Sequence, residues 1–227
     1  LDFMRVNLWK PRTRPGYEGV GDKGLPILAK VARAGVNPGL EVIMTEHVHQ
    51  AMDAALPELG RDGRLLLWIG ARNQNHMLQK DIARACLADD RVILMVKNQP
   101  WPHEDHWVGI IEHVLDAGFP RERLWNCQRG FTPYGDNPEG FRNVPDFAMM
   151  ERVRERTGGD IPIIYDPSHM GGTVPNVFEM GRRGAGQNLA GALVEVHHDP
   201  KNAMTDKNQQ VTWPEFDDLV KVMFPES

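Results

Sequence analysis

Seven short apolar runs, each followed by a stretch of helical length, constrain this chain more than any other feature of its sequence. The runs span residues 3–8, 40–45, 65–70, 92–97, 124–127, 161–166 and 192–196. Helices are predicted around 24–33, 48–56, 75–88, 104–117, 145–156, 175–188 and 214–223. In the fourth, Trp107, Ile110, Ile111 and Leu115 recur at spacings that build one apolar face. Pro175 and Pro214 fall where a helix's first turn has no use for the missing N–H. Such alternation marks βα units in series, a parallel sheet covered by helices. Polar residues follow nearly every strand, which favours a (β/α)8 (TIM) barrel over a doubly wound sheet with one glycine-rich phosphate turn.

Seven pairs are one short of a closed barrel, and 227 residues fall below the ~250 typical of one. Two strand edges would then need covering. The expectation is one α/β catalytic barrel domain over residues 1–227 whose N-terminal strand and first βα unit are absent, with no regulatory domain visible. A 41% hydrophobic and 25% charged composition is that of a globular chain. Acidic residues (31) outnumber basic ones (26), which argues against nucleic-acid partners. No apolar run approaches the ~20 residues of a membrane span, so no membrane partner is expected. The two cysteines, Cys86 and Cys127, form no CxxC pair, and a reducing, cytoplasmic setting is expected.

Against that acidic background, cations gather at strand ends. Lys10-Pro11-Arg12-Thr13 follows the first run and leads into Gly16, Gly19, Gly21 and Gly24. Arg72, Lys97 and Arg129 end other runs, Arg5 lies within the first, and Arg142-Asn143 follow a long loop. Singly, each could be a solvated surface residue. Together at one barrel mouth they fit a ligand with several negative charges, arginine gripping phosphate or carboxylate by its fork. In the second half, Asp166-Pro167-Ser168-His169, Glu195-Val196-His197-His198 and Thr205-Asp206 offer imidazole and carboxylate donors suited to a divalent ion. Capping of strand ends and turns also explains the same residues, and the pattern leaves both open. On a strand, Glu195 and His197 would project to the same side.

Taken in order, KPRT, IGARN, the strand-terminal lysine, CQRG, DPSH, VEVH and TD closely resemble the class I DAHP synthases, in the branch related to KDO8P synthases. The resemblance is closest to forms fused to chorismate mutase in some bacteria, although no such domain is seen here. It implies a transferase that condenses phosphoenolpyruvate with erythrose 4-phosphate, the first step of the shikimate pathway. By resemblance, Lys10, Arg72, Lys97 and Arg129 hold phosphoenolpyruvate with support from Arg5, while Arg12 and Thr13 engage the aldose phosphate. Lys97 and His169 are the implied catalytic residues. His169, Glu195 and Asp206 are the implied ligands of a divalent metal ion, Mn2+, Co2+, Fe2+ or Zn2+. The family's fourth ligand, a cysteine in a Gly-Pro-Cys signature, has no counterpart; Cys127 matches a different cysteine. Arg14 and Gln128 also depart from the family pattern, which has a small hydroxyl residue and a glutamate there. A homo-oligomer is expected. KPRT favours erythrose 4-phosphate over arabinose 5-phosphate, and a barrel kept for a binding or regulatory role is the further alternative.

Overall fold

The computed structural model describes residues 2–12 and 14–225, so Thr13 of the expected phosphate loop lies outside the described residues. Seven strands form one parallel sheet in sequence order: β1 (Phe3–Arg5), β2 (Asn37–Val42), β3 (Leu65–Ile69), β4 (Val92–Lys97), β5 (Leu124–Gln128), β6 (Ile163–Tyr165) and β7 (Gly191–Ala192). The helices are α1 (Leu25–Arg33), α2 (Thr45–Ala55), α3 (His76–Ala85), α4 (Glu104–Asp116), α5 (Phe147–Arg156), α6 (Pro167–Gly171), α7 (Val174–Gly184) and α8 (Trp213–Met223). The sheet curls into a barrel left open between β1 and β7, one βα unit short of closure among the described residues. No helix among them is long and apolar enough to cross a membrane.

The strands are apolar on both faces because both are covered. Leu65, Leu67, Ile69, Val92, Leu94 and Val96 pack outward into the main core with the helices. Their neighbours Leu66, Trp68, Ile93, Met95, Cys127 and Ile164 point inward, joined by Phe3, Trp125 and Leu193. The two-residue period of extended chain then dictates what sits at the mouth. Arg5, Lys97, Arg129, Asp166 and Glu195 each follow an inward apolar residue by two positions, so five charges continue the lining of the barrel.

Several boundaries differ from the sequence reading; among them β1 stops at Arg5 and α7 at Gly184, short of the expected residues 8 and 188. β2 begins at Asn37 and stops at Val42, because Thr45 already opens α2. β7 is two residues long, so Glu195 and His197 do not alternate along a strand. With β6 on one side only, the chain leaves the sheet after Ala192, and residues 195–197 instead pair with Val211. Residues 167–171 form α6, since Pro167 suits the first turn and the Asp166 side chain caps it by accepting from the His169 N–H.

The loop after β1 is pinched at its neck, where the Lys10 N–H donates to the Glu18 carbonyl at 2.8 Å. Gly19 makes the pinch possible. Its φ is +100°, and a Cβ there would fall 2.0 Å from the Leu8 carbonyl oxygen. At the other end of the chain, Thr212 and Glu215 form a reciprocal capping box that starts α8.

Candidate functional site

Asp166 is the hub of the barrel mouth. It directly follows β6, is wholly buried, and accepts from the Lys97 ammonium at 2.8 Å. It also meets His169 Nδ1 at 3.0 Å. Burial opposes its ionisation most strongly, but His169 and Lys97 together outweigh burial and hold the carboxyl well below its ordinary range. A carboxylate only accepts, so Nδ1 of His169 carries the hydrogen and Nε2 is turned to the Glu195 carboxylate, 3.9 Å away.

Glu195 is gripped from two further sides. Arg5 forms an ion pair with it at 2.7 Å, and Gln209 donates to its other oxygen at 2.7 Å. Burial again opposes ionisation, and Arg5 and then His169 reverse it, leaving the Glu195 pKa lowered. The Arg5 pKa is raised despite burial, by the charges of Glu195, Asp166, Glu41 and Asp206.

A second set of cations has less compensation. Arg129 is buried at the end of β5, donating to Asn143 at 2.9 Å, and its backbone N–H meets Asn98 at 2.7 Å. Burial, helped by Arg72 and Arg142 against the opposing charge of Asp166, depresses its guanidinium to about 10. A buried cation bonded to a neutral amide, with two like charges close by, is a place where an anion is stabilised. Arg72 is exposed at the rim.

Lys10 and Arg12 stand apart from this cluster. Lys10 donates to Thr205 at 2.6 Å and contacts the Asp206 carboxylate. Asp206 also takes Arg142 at 3.0 Å, and these two cations override burial to lower its pKa. Arg12 is exposed on the loop. A cavity of about 830 Å³ runs along the barrel axis and opens between β1 and β7. Arg5, Lys10 and Glu195 line its polar part, and Leu66, Trp68 and Met95 its apolar part.

The implied metal ligands converge only in part. His169 and Glu195 face each other as two donors of suitable chemistry. Asp206 is engaged by Lys10 and Arg142, and no group of three His, Cys, Asp or Glu side chains that could hold an ion occurs among the described residues. Neither cysteine supplies a thiolate, since burial pushes both thiols up to about 12.

A model of the DAHP synthetase I family matches residues 3–224. The chain belongs to that family. Among relatives, it is 27% identical over 226 residues to a phospho-2-dehydro-3-deoxyheptonate aldolase of Thermotoga maritima, covering 98% of this chain and 61% of that protein. It is 32% identical over 140 residues to a 2-dehydro-3-deoxyphosphooctonate aldolase of a Janthinobacterium species, covering 56% of this chain and 46% of the other. The crystal structure of the Thermotoga maritima DAHP synthase superposes with a TM-score of 0.80 at 26% identity, over 98% of this chain and 60% of that one. A truncated form of 3-deoxy-D-arabino-heptulosonate 7-phosphate synthase from the same organism gives 0.77 at 25% identity, over 98% and 75%. This chain thus spans about three fifths of the full-length Thermotoga relative.

Of the residues expected in this DAHP synthetase family member, Arg5, Lys97, His169 and Glu195 form one linked cluster with Asp166, and Arg129 joins it through Asn143 and the His169 carbonyl. Lys10 and Asp206 pair separately. Gln209, Glu41 and Trp68 were not singled out from sequence, and Asp166 and Asn143 were named only within motifs, without a role of their own. Asp166 had a readable signal, a carboxylate ending an apolar run directly before a helix-opening proline. Gln209 had none, because only the fold brings it to Glu195.

Proposed function

We propose that the barrel mouth condenses phosphoenolpyruvate with erythrose 4-phosphate and releases inorganic phosphate, as a 3-deoxy-7-phosphoheptulonate synthase. The observation that carries this reading is the under-compensated Arg129 beside the Lys97–Asp166–His169 chain. Arg129 and Arg72 would grip the carboxylate and phosphate of phosphoenolpyruvate, and the Lys97 ammonium, aimed by Asp166, would contact the reacting enol phosphate. C3 of phosphoenolpyruvate attacks the aldehyde carbon, water adds at C2, and phosphate leaves to give the 2-keto acid. Fixed cations bring together two anions that repel in solution, so orientation and preorganised charge supply the catalysis. Arg12 and Thr13 are the proposed aldose-phosphate contacts, and Lys10 remains a proposed phosphoenolpyruvate contact, which requires it to exchange Asp206 for substrate. His169 and Glu195 are the proposed first donors to a divalent ion (Mn2+, Co2+, Fe2+ or Zn2+), which supplies Lewis acidity when bound. Closure of the gap between β1 and β7 by an eighth parallel strand belongs to the same reading, as does a homo-oligomeric assembly.

A KDO8P-type reading draws support from the deoxyphosphooctonate aldolases among the relatives. Phosphate release from phosphoenolpyruvate separates the two when erythrose 4-phosphate and arabinose 5-phosphate are compared, after chelation and after adding Mn2+. The proposal expects metal-restored release with the four-carbon aldose and little with the five-carbon one. The reverse preference, or activity indifferent to chelation, would overturn it.

A further inference from the structure

An indole lies under the cations of the barrel mouth. Trp68 points inward from the middle of β3 and is fully buried. The Lys97 Nζ sits 5.7 Å from its ring centroid and the Arg5 guanidinium carbon 5.5 Å from it. The same two cations are each tethered once more, Lys97 to Asp166 and Arg5 to Glu195, both at about 2.7–2.8 Å. The ring is itself oriented. Its N–H points to a Glu41 oxygen at 3.4 Å, and Glu41 is set against Gly70, where a Cβ would come within 2.0 Å of its carboxylate. Register explains the meeting, since Glu41 and Trp68 are direct neighbours across β2 and β3.

We propose that Trp68 is a positioning residue for phosphoenolpyruvate, its ring the platform that sets Lys97 and Arg5 at the barrel mouth, with Glu41 fixing the ring. A lysine ammonium rides on a flexible four-carbon stem, so one carboxylate alone leaves it a wide arc. The negative face of an indole attracts a cation and narrows that arc from below. An aliphatic side chain of similar bulk would exclude water equally well but offer no such face. The role therefore requires an aromatic ring, which a purely space-filling role does not.

The inference rests on the proposed substrate, and its test uses phosphoenolpyruvate itself. Affinity is measured by calorimetry for the wild-type chain, Trp68→Phe and Trp68→Leu, beside their thermal midpoints and the KM of each substrate. Both variants shrink the side chain and lose stability. Trp68→Phe keeps a π face and should bind phosphoenolpyruvate within about threefold of wild type, whereas Trp68→Leu should bind about tenfold more weakly. The KM for the aldose phosphate should stay within about twofold in both, because Arg5 and Lys97 serve the other substrate. Equal affinity of the Phe and Leu variants, or parallel weakening of both substrates, overturns the positioning role alone. A wild-type chain that binds no phosphoenolpyruvate overturns the functional reading and this inference with it.

Discussion

Replacing Lys97 by Met removes the ammonium 2.8 Å from Asp166 while keeping a side chain of nearly the same length. Asp166 is wholly buried and Lys97 only 5% exposed. Removing one partner from such a pair costs about 3–5 kcal/mol, because the remaining charge stays desolvated. His169 still donates to Asp166 at 3.0 Å, so the lower end, about 3 kcal/mol, applies here. For a chain of this length that corresponds to a fall in Tm of about 6–12 °C. Total stabilities of about 5–15 kcal/mol leave the variant folded, so its expected loss of turnover reports on chemistry. Asp166→Asn is expected to be costly for the converse reason, an ammonium without its counter-charge. The double variant has neither orphan charge, and its loss should fall short of the sum by about 2 kcal/mol. Urea unfolding of all four proteins gives the cycle, with phosphate release measured alongside. Additive losses, within about 0.5 kcal/mol, would refute the coupling, and turnover retained by folded Lys97→Met would refute its catalytic part.

Gly70→Ala should destabilise by about 1–3 kcal/mol, since the new Cβ meets the Glu41 carboxylate; an unchanged urea midpoint would show that Glu41 moves freely. Cys86 and Cys127 titrate near 12 in the fold, above an unfolded value of about 8.5. Their contribution to stability is therefore complete below about pH 8.5 and is lost as pH rises towards 12. Ellman's reagent at pH 8 should find no reactive thiol in the native chain and two in denaturant, and rapid native labelling would contradict their burial. Thr212→Ala, which removes the capping box of α8, should cost about 1 kcal/mol in chemical unfolding; a neutral result would mean the helix start is held by packing alone.

The strand and helix order was legible because parallel strands covered on both faces read as uninterrupted apolar runs. Lys97 and Arg129 stood out in the sequence because each is a cation at the end of an apolar run, whereas Asp166 was visible only as part of a motif. β7 was misread for a physical reason. An apolar run such as residues 192–196 shows that chain is extended, but a strand also needs partners, and this one has a neighbour on one side only. The α6 turn was written in Asp166 and Pro167 and could have been read as a cap. Trp68 could not, since an indole inside an apolar run reads as core until the cations above it are located. Asp206 shows the opposite limit. Its type and order fitted a ligand, whereas the fold places it between Lys10 and Arg142.

The central claim is that the cations around Asp166 form a phosphoenolpyruvate site. A crystal structure of the chain with saturating phosphoenolpyruvate tests it most directly. The account predicts one molecule at the barrel mouth, its phosphate and carboxylate on Arg129 and Arg72, with the Lys97 ammonium against the enol phosphate above Trp68. Phosphoenolpyruvate bound elsewhere, or a mouth that stays free of it while Lys97 remains closed on Asp166, would contradict the claim.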